Sequence, residues 1–169
     1  FIKKNFKRKK TIFLKIKNHK LGPLYSIFLA KEKLKKIIKN DSFFITYSDI
    51  NWNWNYKNIT KYVNNKKAVV FSHTDFHPDL EVDNRADFFL CNKNDILNEV
   101  SEKKPILKDY KKNMLAIGCY YFDQFKYFEK YFDKKIFFQT SHKKEYYIIN
   151  LLDFLLKQGL IMNHYELNN

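Results

Sequence analysis

Four places in the sequence carry residue types that could do chemistry. Asp49 follows the apolar run Phe43 to Tyr47 directly after Ser48. A carboxylate just past a buried strand can hold a hard divalent cation such as Mg²⁺ against phosphate oxygens, because such a cation wants oxygen donors and needs few from the protein. The alternative is a solvated loop aspartate or a helix cap. Glu102-Lys103-Lys104-Pro105 sets a carboxylate beside cations at a strand end. The acid can accept sugar hydroxyls and the cation can pair with a phosphate; the alternative is an ordinary charged turn. Gly118 interrupts the apolar run Met114 to Phe122, where a glycine marks close approach of a ligand or backbone, or a bulge. Trp52 and Trp54 can stack on a base or sugar, or serve a core or interface.

Other chemistries find no support. The histidines (His19, His73, His77, His142, His164) have neither HExxH nor paired spacing, and no GxSxG, P-loop or GxGxxG occurs. Cys91 and Cys119 sit singly in apolar runs, which reads as reduced buried thiols in a cytoplasmic protein rather than a disulfide or zinc framework.

These residues need a frame, and the hydrophobic pattern supplies one. At 169 residues with 45% hydrophobic content, the chain is long and apolar enough to pack one domain over its whole length, 1–169. Thr11 to Ile16 reads as a strand. Leu21-Gly22-Pro23 is a turn into an amphipathic helix with Leu24, Ile27, Phe28, Leu34 and Ile38 on one face. A strand follows over 43–47. Residues 56–65 read as a helix with Tyr56, Ile59, Tyr62 and Val63 on one face, and 68–72 as a buried strand. Residues 73–84 read as an irregular loop, and 86–91 with 96–100 as a hairpin. Met114 to Phe122 is a strand. Asp123 to Phe132 is a helix with Asp123 as its N-cap, and Tyr146 to Leu156 a helix stopped by Gly159. A final strand spans 160–166. Such alternation implies a parallel or mixed sheet with helices on both faces, whose ligands bind beyond the carboxyl ends of the strands.

The net charge of +14 invites a nucleic-acid reading. Only Arg8 and Arg85 among the 32 basic residues are arginine, whereas base-edge and bidentate phosphate recognition favour arginine. The richness in Lys, Asn, Ile, Phe and Tyr matches AT-rich coding bias, so no specific nucleic-acid partner is expected. No stretch reaches the length of a membrane span, and the start has no signal-peptide core.

Taken in order, the pieces resemble the sugar-phosphate nucleotidyltransferase family, in a branch linked with capsule and surface-polysaccharide synthesis. The resemblance rests on Leu21-Gly22-Pro23-Leu24-Tyr25-Ser26, Phe43 to Trp54, Phe76-His77-Pro78, the hairpin, Glu102-Lys103-Lys104-Pro105, Ala116 to Phe122 and Glu145-Tyr146-Tyr147, and covers about residues 11–166. It implies a Rossmann-like three-layer α/β/α nucleotide-diphospho-sugar transferase fold with a mixed, mostly parallel sheet. It also implies a reaction of a nucleoside triphosphate with a sugar 1-phosphate that releases pyrophosphate with Mg²⁺ as cofactor. Asp49 would bind Mg²⁺ as a catalytic residue. Glu102 and Lys103 would hold the sugar and its phosphate, with Lys103 also catalytic. Gly118 and Glu145 would line the sugar pocket, and Gly22 would lie near the nucleobase. The family's opening Gly-rich loop and catalytic lysine have no match in residues 1–20. With no initial Met, the expectation is an N-terminally truncated domain without efficient turnover as it stands; the alternative is a degenerate family member without turnover. Two other readings compete. One is a glycosyltransferase using a sugar nucleotide, although Asp49-Ile50-Asn51 is not the Asp-x-Asp such enzymes carry. The other is a non-catalytic basic binding module.

Overall fold

The run Met114–Phe122 forms the central strand, labelled β5, because its alternating large side chains feed two cores at once. Tyr120 and Phe122 point into one apolar cluster, and Ile117, Cys119 and Tyr121 into the other. The structure is a computed structural model and describes residues 11–48, 55–73, 86–109, 112–133 and 145–167.

Strand β2 (Ala68–His73) runs antiparallel along one edge of β5. The other edge is shared. Strand β3 (Asp87–Cys91) pairs with the start of β5, Asp87 opposite Ala116, and β1 (Phe43–Thr46) with its end, from Phe43 opposite Phe122 to Thr46 opposite Cys119. Strand β4 (Leu97–Ser101) completes the β3 hairpin, and β6 (Asn163–Glu166) lies parallel to β2. The six-stranded order is β4-β3-β5-β2-β6, with β1 beside β5.

Helices cover both faces. Helices α1 (Pro23–Ile38), α3 (Lys126–Tyr131) and α4 (Ile148–Lys157) bury Leu24, Phe128, Tyr131, Leu151, Leu152 and Leu155 in one cluster. Helix α2 (Tyr56–Val63) buries Ile59 and Val63 in the other. The result is a three-layer α/β/α architecture around a mixed sheet, as expected. Phe128 organises the larger core, with its ring edge-on to Phe122 at 5.0 Å and stacked on Phe125 at 5.4 Å. Six of the ten residues of α4 are buried, and each such side chain contributes about 1.5–3 kcal/mol of transfer free energy. This anchoring holds the N-terminal end of α4 rigidly for the site below. No helix of the described residues is long and apolar enough to cross a membrane.

Several expectations are corrected. Residues 11–19 form no strand; Ile12 and Phe13 are about half exposed, so the alternation of 11–16 has no face to bury. His19 instead organises the start of α1: Nδ1 accepts the Leu21 N–H (3.1 Å) and Nε2 meets Ser26 Oγ (3.0 Å). The balance of the sheet also differs from the expected parallel majority. Among the described strands four pairings are antiparallel and one is parallel, because β5 returns between β2 and the β3–β4 hairpin. Asp123 caps no helix; its N–H donates to Lys67 O (3.0 Å), and α3 begins three residues later without a side-chain cap. Tyr56 is 68% exposed rather than on the buried face, and the last strand starts at Asn163, not Leu160. Trp52, Trp54 and residues 74–85, including His77, lie outside the described residues.

Both cysteines fit the buried-thiol expectation. Cys119 is buried and Cys91 half-buried, and burial pushes each thiol up to about 12, with Asp95 adding to the effect at Cys91.

One buried polar group makes stability depend on pH. His164, 4% exposed, bonds through Nε2 to the fully buried Ser72 Oγ at 2.6 Å, and its Nδ1 lies 3.7 Å from Asp95 Oδ1. Burial lowers its pKa, partly opposed by Asp95. The unfolded chain therefore binds a proton at this site before the folded one does. The stabilisation is complete above the ordinary histidine value of about 6.5 and is lost as pH falls through the depressed folded value. Thermal melts between pH 7.5 and pH 5 should show Tm falling by about 2–4 °C for each kcal/mol lost. The fall should be shallower in His164→Gln, and an equal slope in that variant would remove His164 as its source.

Candidate active site

The site is built where β4 ends against the start of α4. Beyond Ser101 the chain turns through Glu102 and Lys103, and Lys103 adopts φ +57, a left-handed conformation that is costly for a residue with a Cβ. Such outliers collect at functional positions. Across from them, Glu145, Tyr146 and Tyr147 lead into α4. The Tyr146 peptide is clamped by the turn before α1: Tyr146 N donates to Leu21 O (2.9 Å) and Leu24 N to Tyr146 O (3.0 Å). Gly22 sits inside this clamp at φ +83. A Cβ there would lie 2.6 Å from Tyr146 O, so only glycine lets the two backbones come this close.

The side chains converge. Lys103 Nζ donates to Tyr147 Oη at 2.8 Å, lies 4.3 Å from the centre of that ring, and is 3.8 Å from Glu145 Oε2. Tyr147 Oη in turn donates to Glu145 Oε2. Asn150 Oδ1 accepts the Tyr147 N–H (2.9 Å), capping α4, while its Nδ2 donates to Glu102 Oε2 (2.9 Å). The Tyr147 hydroxyl holds the Lys103 ammonium above its usual pKa against the opposing effect of burial, with Glu145 and Glu102 adding smaller contributions. Burial first, then Glu145, raises the Tyr147 phenol while Lys103 opposes. Both therefore stay protonated at neutral pH. The arrangement offers one cation for an anionic oxygen and two carboxylates able to accept hydroxyl groups, beside the positive end of a helix.

Gly118 lies in the central strand β5. It occupies a bulge at φ +69, where the β2–β5 register jumps from Val70 opposite Tyr120 to Ser72 opposite Ala116, and its carbonyl accepts the Tyr47 N–H at 3.1 Å. The bulge falls between the stretches of β5 that pair with β3 and with β1. The Tyr47 hydroxyl is buried near Tyr120 and the backbone of Ile148 at the start of α4, without a hydrogen bond of good geometry among the described residues. Burial, with the Asp87 carboxylate second, raises its pKa.

The structure thus brings together Glu102, Lys103 and Glu145, sets Gly22 against the residue between Glu145 and Tyr147, and links Gly118 to the same helix end through Tyr47. Asp49 lies outside the described residues. Tyr147, Asn150, Tyr47 and Asp87 were not foreseen. Tyr147 and Asn150 read in sequence as ordinary members of an apolar helix start; the spacing of an N-cap and its third residue was the one signal that could have found Asn150. Among the described residues no group of three or more His, Cys, Asp or Glu side chains gathers as a metal site. With the Lys103 ammonium beside Glu145, this cluster does not suit Mg²⁺.

No protein-family model matches the sequence. No curated protein sequence matches it either. Solved structures do share its fold. The nucleoside-diphosphate-sugar pyrophosphorylase from Vibrio cholerae RC9 superposes with a TM-score of 0.65 over 88% of this chain and 58% of that one, at 18% identity. The inositol-1-phosphate CTP transferase from T. maritima superposes with a TM-score of 0.52 over 88% and 53%, at 15% identity. The architecture is the Rossmann-like α/β/α fold of such nucleotidyltransferases. The chain spans little more than half the length of either structure.

Proposed function

We propose that residues 1–169 form one nucleotidyltransferase-like domain, acting in the cytoplasm to make a nucleotide sugar from a nucleoside triphosphate and a sugar 1-phosphate for surface-polysaccharide synthesis. The observation that carries this reading is the meeting of Lys103 with Glu102 and Glu145 at the start of α4, in a fold shared with a nucleoside-diphosphate-sugar pyrophosphorylase.

A sugar 1-phosphate has two kinds of handle, and this cluster has a partner for each. Lys103 engages the phosphate. Glu102 and Glu145 accept hydrogen bonds from ring hydroxyls and so orient the sugar. Glu145 is the looser partner of Lys103, at 3.8 Å and with its side chain 47% exposed, so a phosphate can take its place while Tyr147 keeps its hold. Gly22, in the turn that abuts Tyr146, lies near the nucleobase, and Gly118 gives the sugar a wall without a side chain. The oriented phosphate oxygen attacks the α-phosphorus of the triphosphate in line. A new P–O bond forms, the bond from the α-phosphorus to the bridging oxygen breaks, and pyrophosphate leaves with that oxygen. Positioning and charge neutralisation supply the catalysis, with no covalent intermediate on the protein. Mg²⁺ held by Asp49 would supply further charge neutralisation.

The test is Mg²⁺-dependent pyrophosphate release by the full-length protein, with the four common nucleoside triphosphates against a panel of sugar 1-phosphates. Release that needs both substrates supports the reading. No release with any pair, from folded protein, refutes it.

A further inference from the structure

We propose that Tyr147 and Asn150, at the N-terminal end of α4, are positioning residues that hold Lys103 and Glu102 in the orientation that engages the phosphorylated sugar. The choice of ligand rests on the function proposed above; the positioning itself does not.

Glu102 and Lys103 are neighbours on a half-buried turn, and such long charged side chains ordinarily sample many rotamers. Here each is held by a different residue of the same helix end. Lys103 Nζ donates to Tyr147 Oη (2.8 Å), and Glu102 Oε2 accepts from Asn150 Nδ2 (2.9 Å). Both holders are neutral. A phenol and an amide fix direction without cancelling charge, so the ammonium and carboxylate keep their attraction for a ligand. The Lys103–Glu145 ion pair, at 3.8 Å, is the looser contact and the one a phosphate displaces.

The amide of Asn150 is also fixed in orientation. Its Oδ1 is taken by the Tyr147 N–H, so its NH₂ group must face the other way, toward Glu102. The Tyr147 hydroxyl is committed likewise: it accepts from Lys103 and donates to Glu145. One hydroxyl therefore sets the relative placement of a cation and a carboxylate. Because α4 is buried along its length, this end cannot drift, and Lys103 keeps its left-handed backbone against a fixed partner.

Two substitutions separate positioning from folding. Tyr147→Phe keeps the ring beneath Lys103 and removes the hydroxyl. Asn150→Asp keeps an acceptor for the Tyr147 N–H, in a place where a negative charge favours the helix, but turns a second carboxylate toward Glu102. In the full-length protein, the rate of Lys103 acetylation by acetic anhydride at pH 9 reports how the ammonium is held. Losing the hydroxyl that favours the charged form should raise that rate about threefold to tenfold in Tyr147→Phe. KM for whichever of glucose, galactose and mannose 1-phosphate the wild type turns over should rise about tenfold in both variants, the loss expected for a hydrogen bond to a charged group. Their kcat should change less than threefold, with the Tm of Asn150→Asp at or above wild type. Unchanged Lys103 labelling in Tyr147→Phe overturns the proposal, whatever the kinetics. Unchanged KM in both variants, alongside normal wild-type turnover, overturns it as well. If the wild type turns over none of the three sugars, the functional reading fails on those substrates, and the labelling result alone decides the positioning.

Discussion

Gly22→Ala should lower the unfolding free energy by about 2–5 kcal/mol. Two causes add. At φ +83 a residue with a Cβ pays about 1–2 kcal/mol for the left-handed backbone. The new Cβ would also stand 2.6 Å from Tyr146 O and 2.9 Å from Tyr146 N, contacts that only a backbone shift can relieve. Overpacking of this kind costs about 1–3 kcal/mol. Gly159→Ala is the control. Its φ is similar, +75, at the end of α4, yet a Cβ there meets nothing within 4 Å, so only the conformational cost remains. Urea unfolding of the two variants should therefore differ by the clash. Equal losses would mean that the turn before α1 yields freely and that the clamp on Tyr146 is weak. The consequence for function is direct, because Tyr146 lies between Glu145 and Tyr147; pushing its peptide away moves both.

Lys103→Gly should leave stability nearly unchanged while lowering activity. The substitution relieves the strain of φ +57, worth about 1 kcal/mol, and gives up a partly exposed ion pair worth about 0–1 kcal/mol. The net change in unfolding free energy should stay within about 1 kcal/mol of zero. Pyrophosphate release at sub-saturating sugar 1-phosphate should fall about 10–10²-fold, the usual loss when a hydrogen bond to a charged group is removed. A large stability loss with activity retained would make Lys103 an ordinary turn residue. The pair of effects matters more than either alone, since a strained residue that costs stability and serves binding is what natural sites show.

Much of the frame can be read from residue types alone. Met114 to Phe122 reads as a strand because it is long, aromatic and β-branched, and it is the centre of the sheet. Tyr146 to Leu156 reads as a helix because its apolar residues surround most of its circumference; the observed helix is Ile148–Lys157, and Gly159 ends it as a left-handed stop. The hairpin around Asn92 to Asp95 follows from turn chemistry. What escapes is whatever depends on a distant partner. Thr11 to Ile16 alternates like a strand but meets no edge to pair with among the described residues. Asp123 has the chemistry of an N-cap, yet the chain spends three more residues leaving β5 before α3 begins.

The candidate site divides along the same line. Glu102, Lys103 and Glu145 stand out as charges at ordered places in a family-like sequence, and they do meet. The residues that orient them do not stand out. Tyr147 and Asn150 acquire their roles only because a segment more than forty positions away folds against the start of α4. The left-handed backbone of Lys103 leaves no mark on residue type either, since lysine is not a residue that prefers it. His164 shows the same limit in the core, where a lone histidine in a strand gives no hint of the serine it binds.

The most direct measurement is amide chemical-shift mapping of the isotope-labelled full-length protein as a sugar 1-phosphate is added. Saturable shifts are expected, concentrated at Gly22, Glu102, Lys103 and the Glu145 to Asn150 stretch and persisting at moderate salt. Shifts confined to the lysine-rich outer face of α1, around Lys31 and Lys35, and vanishing as salt rises, would contradict this expectation and leave only the general attraction of a basic surface for phosphate.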